Sequence, residues 1–267
     1  MNDTVTVTNR ILIRPCEGFE ELTACVDLQI KVWGYSGGDV IPRRSFVVTQ
    51  NIGGQVFGAF DTSISGIPEE GDAASLVGFA MAMPAIRNCN SYLHSHMLAV
   101  SPAYRNLGIG TRLKLKQRED ALARKISLME WTFDPLVVKN AYLNIQRLGA
   151  IVRRYTPDFY GGSSSQLQAG MPTDRLHAEW WMNSSRVDGA LSGNLQAIDV
   201  LATIVVPAEI EELRSAGNLA SAFGVQSQIR RQFLEAFSNG LAVLGFTRDV
   251  QGNGVFQLGI AEESTFS

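Results

Sequence analysis

The sequence predicts an α/β protein: a mixed, mostly antiparallel sheet covered by helices on both faces, with a C-terminal α+β lobe. Three observations lead there. Apolar runs of strand length recur along the chain, several of them alternating with polar residues. Strands come first as a hairpin run and then alternate with helical segments, an order that places helices on both faces of a sheet. With 267 residues, 45% apolar and 18% charged, the chain can bury a full core.

The elements follow in order. Ile11 to Arg14 reads as a short first strand ending at Pro15, and Glu20 to Trp33 carries apolar residues at helical spacing. Gly34 to Asp39 breaks that helix, and Pro42 opens a second one reaching about Asn51. Val56 to Phe60 and Ser75 to Met83 read as two strands joined by a polar loop, and Tyr92 to Val100 as the next. A helix from Thr111 to about Lys125 precedes a strand over Ile126 to Phe133, halted by Asp134-Pro135. Leu136 to Leu148 reads as one helix capped by Gly149. Strands over Ala150 to Tyr155 and Arg175 to Met182 flank a Gly/Ser-rich stretch at Gly161 to Ser165. Beyond a linker at Ser192-Gly193-Asn194, the pattern gives a strand at Ala202 to Val206, a helix after Pro207 and another over Gln226 to Phe237. Two closing strands surround Gly252-Asn253-Gly254. The expected division is a domain over 1–187 and a lobe over 188–267, the latter stabilising or dimer-forming.

Composition excludes several classes. A net charge of −3 and a pI near 5.7 leave no footprint for nucleic acid or an anionic membrane. No run of about 18 apolar residues exists to span a bilayer, and Met1-Asn2-Asp3-Thr4 does not read as a signal peptide. Cys16, Cys25 and Cys89 show no metal-ligand spacing, with or without the three histidines, and read as free thiols in a reducing cytoplasm.

The most informative segment is Arg105-Asn106-Leu107-Gly108-Ile109-Gly110, set between the strand ending Leu98-Ala99-Val100 and the helix from Thr111. A strand, a glycine-bearing turn and a helix N-terminus make an anion site, because close-approaching backbone N–H groups and the helix dipole converge there. A Rossmann fingerprint would need glycine where Leu113 stands, and a Walker loop would need Lys-Ser/Thr after Gly110. The pattern resembles the pyrophosphate loop of the GCN5-related N-acetyltransferases, the GNAT superfamily. The strand and helix order resembles that fold too, with the loop after the fourth strand. Trp131-Thr132-Phe133-Asp134-Pro135-Leu136, Asn140-Ala141, Asn144, Leu148-Gly149-Ala150 and Pro172-Thr173-Asp174-Arg175 before Glu179-Trp180-Trp181 resemble a bacterial group known as predicted GNAT acetyltransferases.

The resemblance implies an acyl-CoA N-acyltransferase fold and acetyl-CoA or another acyl-CoA as cofactor. Leu98, Ala99 and Val100 would offer backbone groups to the pantetheine arm. Arg105, Asn106, Leu107, Gly108, Ile109, Gly110 and Thr111 would hold the pyrophosphate, and Asn140 joins the cofactor-binding set. Of Arg112, Lys114 and Lys116, at least two are expected on a solvated helix face. Strand alternation places His94 and His96 on one face with Leu98 and Val100. An imidazole suits removal of the acceptor amine's proton; a structural histidine bonded to a neighbour is the competing reading. Glu130 is a weaker alternative base.

The acid departs from the family. Many relatives place a tyrosine where this chain has Ile145, which has no proton to give. Asn144 is then a candidate hydrogen-bond partner of the thioester or pantetheine sulfur, with Tyr142, Tyr155 and Tyr160 as other acids. Trp33, Tyr35, Asp39, Trp131, Asp134, Tyr160, Trp180 and Trp181 are the candidate acceptor lining, although tryptophans in a mixed sheet are more often core. Asp174-Arg175 orients a charged substrate group or forms an ion pair. The expected partners are a small-molecule acceptor and a second copy in a homodimer, with no nucleic acid or membrane. Two alternatives stand: a non-catalytic acyl-CoA sensor, and O-acylation or decarboxylation on the same scaffold.

Overall fold

The computed structural model describes residues 10–64, 66–162 and 170–262; the N-terminal residues and most of the Gly/Ser-rich stretch lie outside them. The chain divides between Ser127 and Leu128 into two compact units.

The first unit is a meander with order β1-β2-β3-β4: β1 (Ile11–Pro15), β2 (Gln55–Asp61), β3 (Leu76–Arg87) and β4 (Asn90–Val100). All its pairs are antiparallel. Helices α1 (Gly18–Trp33) and α2 (Arg43–Asn51) cover one face, where Leu22, Cys25, Leu28 and Phe46 pack on Phe79, Met81, Met97 and Ala99. Helix α3 (Ile109–Ala123) covers the other through Ile109 and Leu113, against Ala80, Leu98 and Val100. Helices on both faces bury both sides of the sheet, so β2 is buried along its whole length. β3 and β4 outrun the predicted strands because Asn88 and Cys89 close a two-residue hairpin with φ of 48° and 63°. Two left-handed residues match the strand twist, but without glycine the turn carries a weak sequence signal.

The second unit has order β5-β7-β6-β9-β10-β8. Its strands are β5 (Leu128–Phe133), β6 (Ile151–Thr156), β7 (Arg175–Trp181), β8 (Ala202–Val206), β9 (Ala242–Arg248) and β10 (Gly254–Gly259). The predicted helix at Leu136 to Leu148 is instead a short α4 (Val138–Ala141) followed by π-helix over Tyr142–Arg147. There Leu148 N–H reaches back to the Leu143 carbonyl at 3.0 Å, one residue beyond α-helical register. Ser184 caps a helix the sequence reading missed, α5 (Ser185–Leu191); the linker expected at Ser192 is its C-terminal cap. Helices α6 (Ile210–Ser215) and α7 (Leu219–Ser238) follow, α7 starting seven residues before the predicted Gln226 because its Asn218 cap lies there.

Strands β8 to β10 share this unit's sheet with β5 to β7, β9 pairing with β6 at Val152↔Val243. Compactness thus divides the chain well before the expected 187/188 boundary. Phe233 of α7 stacks on Tyr155 with centroids 5.6 Å apart and meets Phe256 at 5.2 Å. No helix among the described residues is long and apolar enough to cross a membrane.

Candidate active site

In the first unit, β4 delivers the chain to the glycine loop. Tyr104 anchors that loop by donating to Asp61 Oδ2 at 2.7 Å, and burial with this carboxylate pushes the Tyr104 hydroxyl up to about 12. Asn106 and Gly108 both take left-handed backbone, with φ of 66° and 76°. Gly108 is the N-cap of α3, whose first turn has no side-chain cap and no acidic residue. The orphan N–H groups and the positive dipole end of a 15-residue helix are left for a ligand. A Cβ at Gly108 would meet nothing within 4 Å, and one at Gly110 only Leu98 Cδ2 at 3.4 Å. These residues fit a pyrophosphate. Arg105 is exposed beside them.

The same helix corrects one expectation. Arg112 donates to the Ile11 carbonyl at 2.6 Å, and Lys114 is buried with Nζ donating to Ser95 Oγ at 2.7 Å. Only Lys116 keeps the solvated role, pairing with Glu119 at 3.0 Å. Burial pushes the Lys114 ammonium well below the usual lysine range. Ser95 in turn donates to Gln117 Oε1 at 3.2 Å.

A β-bulge decides where the histidines point. Met81 pairs with Met97 but Ala82 pairs with Ser95, so His96 is the extra residue on β4. On the loop side of the bulge, Leu98 and Val100 face α3. Beyond it, Ser95 faces α3, and His94 pairs with Met83, which packs on the α1/α2 face. His94 and His96 therefore do not share a face with Leu98 and Val100, as plain alternation predicts. Their rings stay together, 6.1 Å between centroids. Burial holds the His96 imidazolium below its ordinary 6.5, so the ring is neutral at neutral pH. Trp33 and Tyr35 stack at 5.4 Å in this unit, and Asp39 lies in a short 3₁₀ turn.

In the second unit, Asn144 is buried within the π-helix, Asn140 is exposed one turn earlier, and Ile145 is fully buried. Of the tyrosines, Tyr142 is exposed and Tyr160 shares a 3.0 Å hydrogen bond with Thr132. Tyr155 donates to buried Asp174; burial first, then that carboxylate, pushes its hydroxyl far up, so it is a structural group. Asp174 is paired with Arg230 of α7, not with Arg175. The lining expectation fails for three residues. Trp180 is fully buried with Nε1 on the Leu148 carbonyl at 2.6 Å, Trp131 packs edge-on against it at 5.9 Å, and Asp134 is paired with Arg214 at 2.9 Å.

Residues 47–141 match the acetyltransferase (GNAT) family. Over these residues the sequence is similar to a GNAT acetyltransferase domain. NAA60 of Arabidopsis thaliana, solved with a bisubstrate analogue, has 18% identity and a TM-score of 0.50 over 65% of this chain and 99% of its own. YncA of Salmonella typhimurium, solved with its cofactor acetyl-CoA, has 14% identity and a TM-score of 0.50 over 66% of this chain and 95% of its own. Likeness at that identity shows the fold: the mixed, mostly antiparallel α/β arrangement of the acyl-CoA N-acyltransferases. No curated protein matches the chain.

The family matched over residues 47–141 is one of acetyltransferases, and acetyl-CoA is the cofactor bound in the YncA structure. The sequence located the loop through its glycines. It missed the β4 bulge and the π-turn at Asn144, since neither a one-residue slip nor a i→i−5 bond leaves a composition signal. Among the described residues no cluster of His, Cys, Asp and Glu fits a metal ion, and all three cysteines are free.

Proposed function

We propose that the chain is an acyl-CoA-dependent N-acyltransferase that acts on a small-molecule amine by direct transfer. The observation that carries this reading is the uncapped, acid-free N-terminus of α3 behind left-handed Gly108, at the end of a strand whose bulge turns two histidines out of register. Backbone N–H groups from Arg105 to Thr111 would hold the pyrophosphate, Leu98 to Val100 the pantetheine, and Asn140 would add a contact. When bound, acyl-CoA supplies an activated thioester carbonyl.

The chain's own part is proton handling. An acceptor amine attacks only when neutral, and His96 Nδ1 or Nε2, unprotonated at neutral pH, is suited to take its proton, with His94 beside it. Asn144 is the proposed hydrogen-bond partner of the sulfur, and a coenzyme A thiolate leaves without a dedicated acid. Residues 1–187 are the proposed acyltransferase portion and 188–267 an appended lobe, with a homodimer and a cytoplasmic setting as part of the reading.

Stabilisation by acetyl-CoA in a thermal shift, followed by thiol release over an amine library, tests it. Stabilisation without turnover of any amine would leave the second reading, a non-catalytic acyl-CoA sensor, which Ile145 at the family's acid position favours. Absence of stabilisation by any acyl-CoA sinks both.

A further inference from the structure

Two thiols in the first unit take no part in the proposed acyl transfer. Cys16 directly follows β1 and Cys25 lies midway along α1, and their sulfurs meet at 3.8 Å. Both are sealed in the core, 2% and 0% exposed, in the cluster that holds Leu22, Leu28, Phe46 and Val56. A disulfide holds its sulfurs about 2.05 Å apart, so oxidation closes a gap of roughly 1.8 Å. The backbone of Cys16 is held on both sides. Its N–H donates to the Val56 carbonyl at 2.9 Å, and its carbonyl accepts from Gln50 Nε2 at 2.7 Å. Cys16 is thereby tied to β2 and α2, while Cys25 is carried by α1.

The two sulfurs differ in their surroundings. The hydrogen bond to Cys16, and then burial, push the Cys25 thiol well above its ordinary range. Cys16 has a cation nearby. Arg14 forks onto Glu21 at 2.6 and 2.8 Å; that carboxylate foremost, with the negative forms of Cys16 and Glu17 adding to it, raises the guanidinium. Cys16 also lies just ahead of Glu17, the N-cap of α1, whose side chain caps no helical N–H. Fraying of that first turn opens a path to Cys16 before one to Cys25.

We propose that Cys16 and Cys25 form a reversible dithiol–disulfide pair, oxidised by a peroxide and locking the β1–α1 junction. The Cys16 thiolate, beside Arg14, attacks one oxygen of hydrogen peroxide, the O–O bond breaks, and the departing hydroxide takes a proton to become water. The Cys25 sulfur then displaces hydroxyl from the Cys16 sulfenic acid, and its own proton leaves with that hydroxyl as a second water. Two thiols and one peroxide give one disulfide and two waters, two electrons passing from sulfur to oxygen. A dithiol reductant reverses the step by exchange. The closed loop runs from Glu17 to Ala24 and fastens the start of α1 to its own middle.

The full chain, reduced and then treated with hydrogen peroxide, is unfolded in an alkylating reagent and mapped by peptide mass spectrometry. The expected product is a Cys16–Cys25 cross-linked peptide lighter by two hydrogens, in which exposed Cys89 has no share. Oxidation is expected to raise Tm by at least about 4 °C, and a dithiol reductant to restore both thiols and the original Tm. Cys25→Ser is expected to strand Cys16 as a sulfenic acid that a dimedone-type probe labels, whereas Cys16→Ser leaves Cys25 unoxidised. Full alkylation of both Cys16 and Cys25 after peroxide overturns the proposal, whether or not the variants fold. So does cross-linking of either thiol to Cys89, or an oxidised product that the reductant does not reverse. A cross-link that leaves Tm unchanged refutes the lock.

Discussion

His96 and Lys114 show how burial sets a residue's chemistry. Burial lowers the His96 pKa, so the neutral, proton-accepting ring persists below pH 6.5. If His96 is the base, the acid limb of kcat/KM lies below 6.5, and His96→Ala removes that limb; a limb unchanged in both His94→Ala and His96→Ala would refute the assignment. Lys114 obeys the same sign. Its folded pKa is depressed below 10.5, so as pH falls through that window the unfolded chain binds the extra proton and stability declines. Lys114→Met relieves this, and Ser95 keeps its bond to Gln117. The expected outcome at pH 7 is a Tm higher by about 2–4 °C, with a flatter alkaline slope, read by calorimetry across pH. The sequence showed a cationic helix here; which cation is buried depends on how α3 lies against Ser95.

At the scale of the element, the strand–loop–helix unit was legible from the glycines and the apolar run before them. The two positive φ values and the missing cap explain why: the local chain itself dictates that geometry. Gly108→Asp places a carboxylate at the dipole's positive end and is expected to abolish stabilisation by acetyl-CoA. Gly108→Ala, with open space around its Cβ but φ of 76°, is expected to cost about 1 kcal/mol and keep most of the stabilisation. Equal acetyl-CoA shifts for wild type and the aspartate variant would remove the loop from the binding site. The β4 bulge was not legible, because an extra residue in a strand is decided by pairing with its neighbour. Plain alternation consequently placed His94 and His96 on the wrong face.

For the whole molecule, the last eighty or so residues are bound into the second unit by sheet, core and charge. Asp174 is wholly buried and accepts both Nε and Nη2 of Arg230 at 2.8 Å, and Arg186 spans the Gly149 and Leu244 carbonyls. Arg230→Ala is expected to destabilise by about 2–3 kcal/mol, since Asp174 loses its counter-charge while remaining buried. Truncation after Val187 strips β9 from the edge of β6, leaving β7 as its one partner, and removes the Phe233 and Phe256 contacts. The 1–187 fragment should fail to unfold cooperatively in denaturant; a two-state fragment would show that the lobe is dispensable. By itself the sequence determined the order of most elements, the glycine turn between β4 and α3 and an isoleucine at position 145 that has no proton to give, because these rest on local backbone preference and residue identity. Tertiary structure alone decided the facing of the histidines, the burial of Lys114 and the pairing of Asp174 with Arg230. Each depends on strand register or on residues far apart in the chain, and no local pattern encodes those.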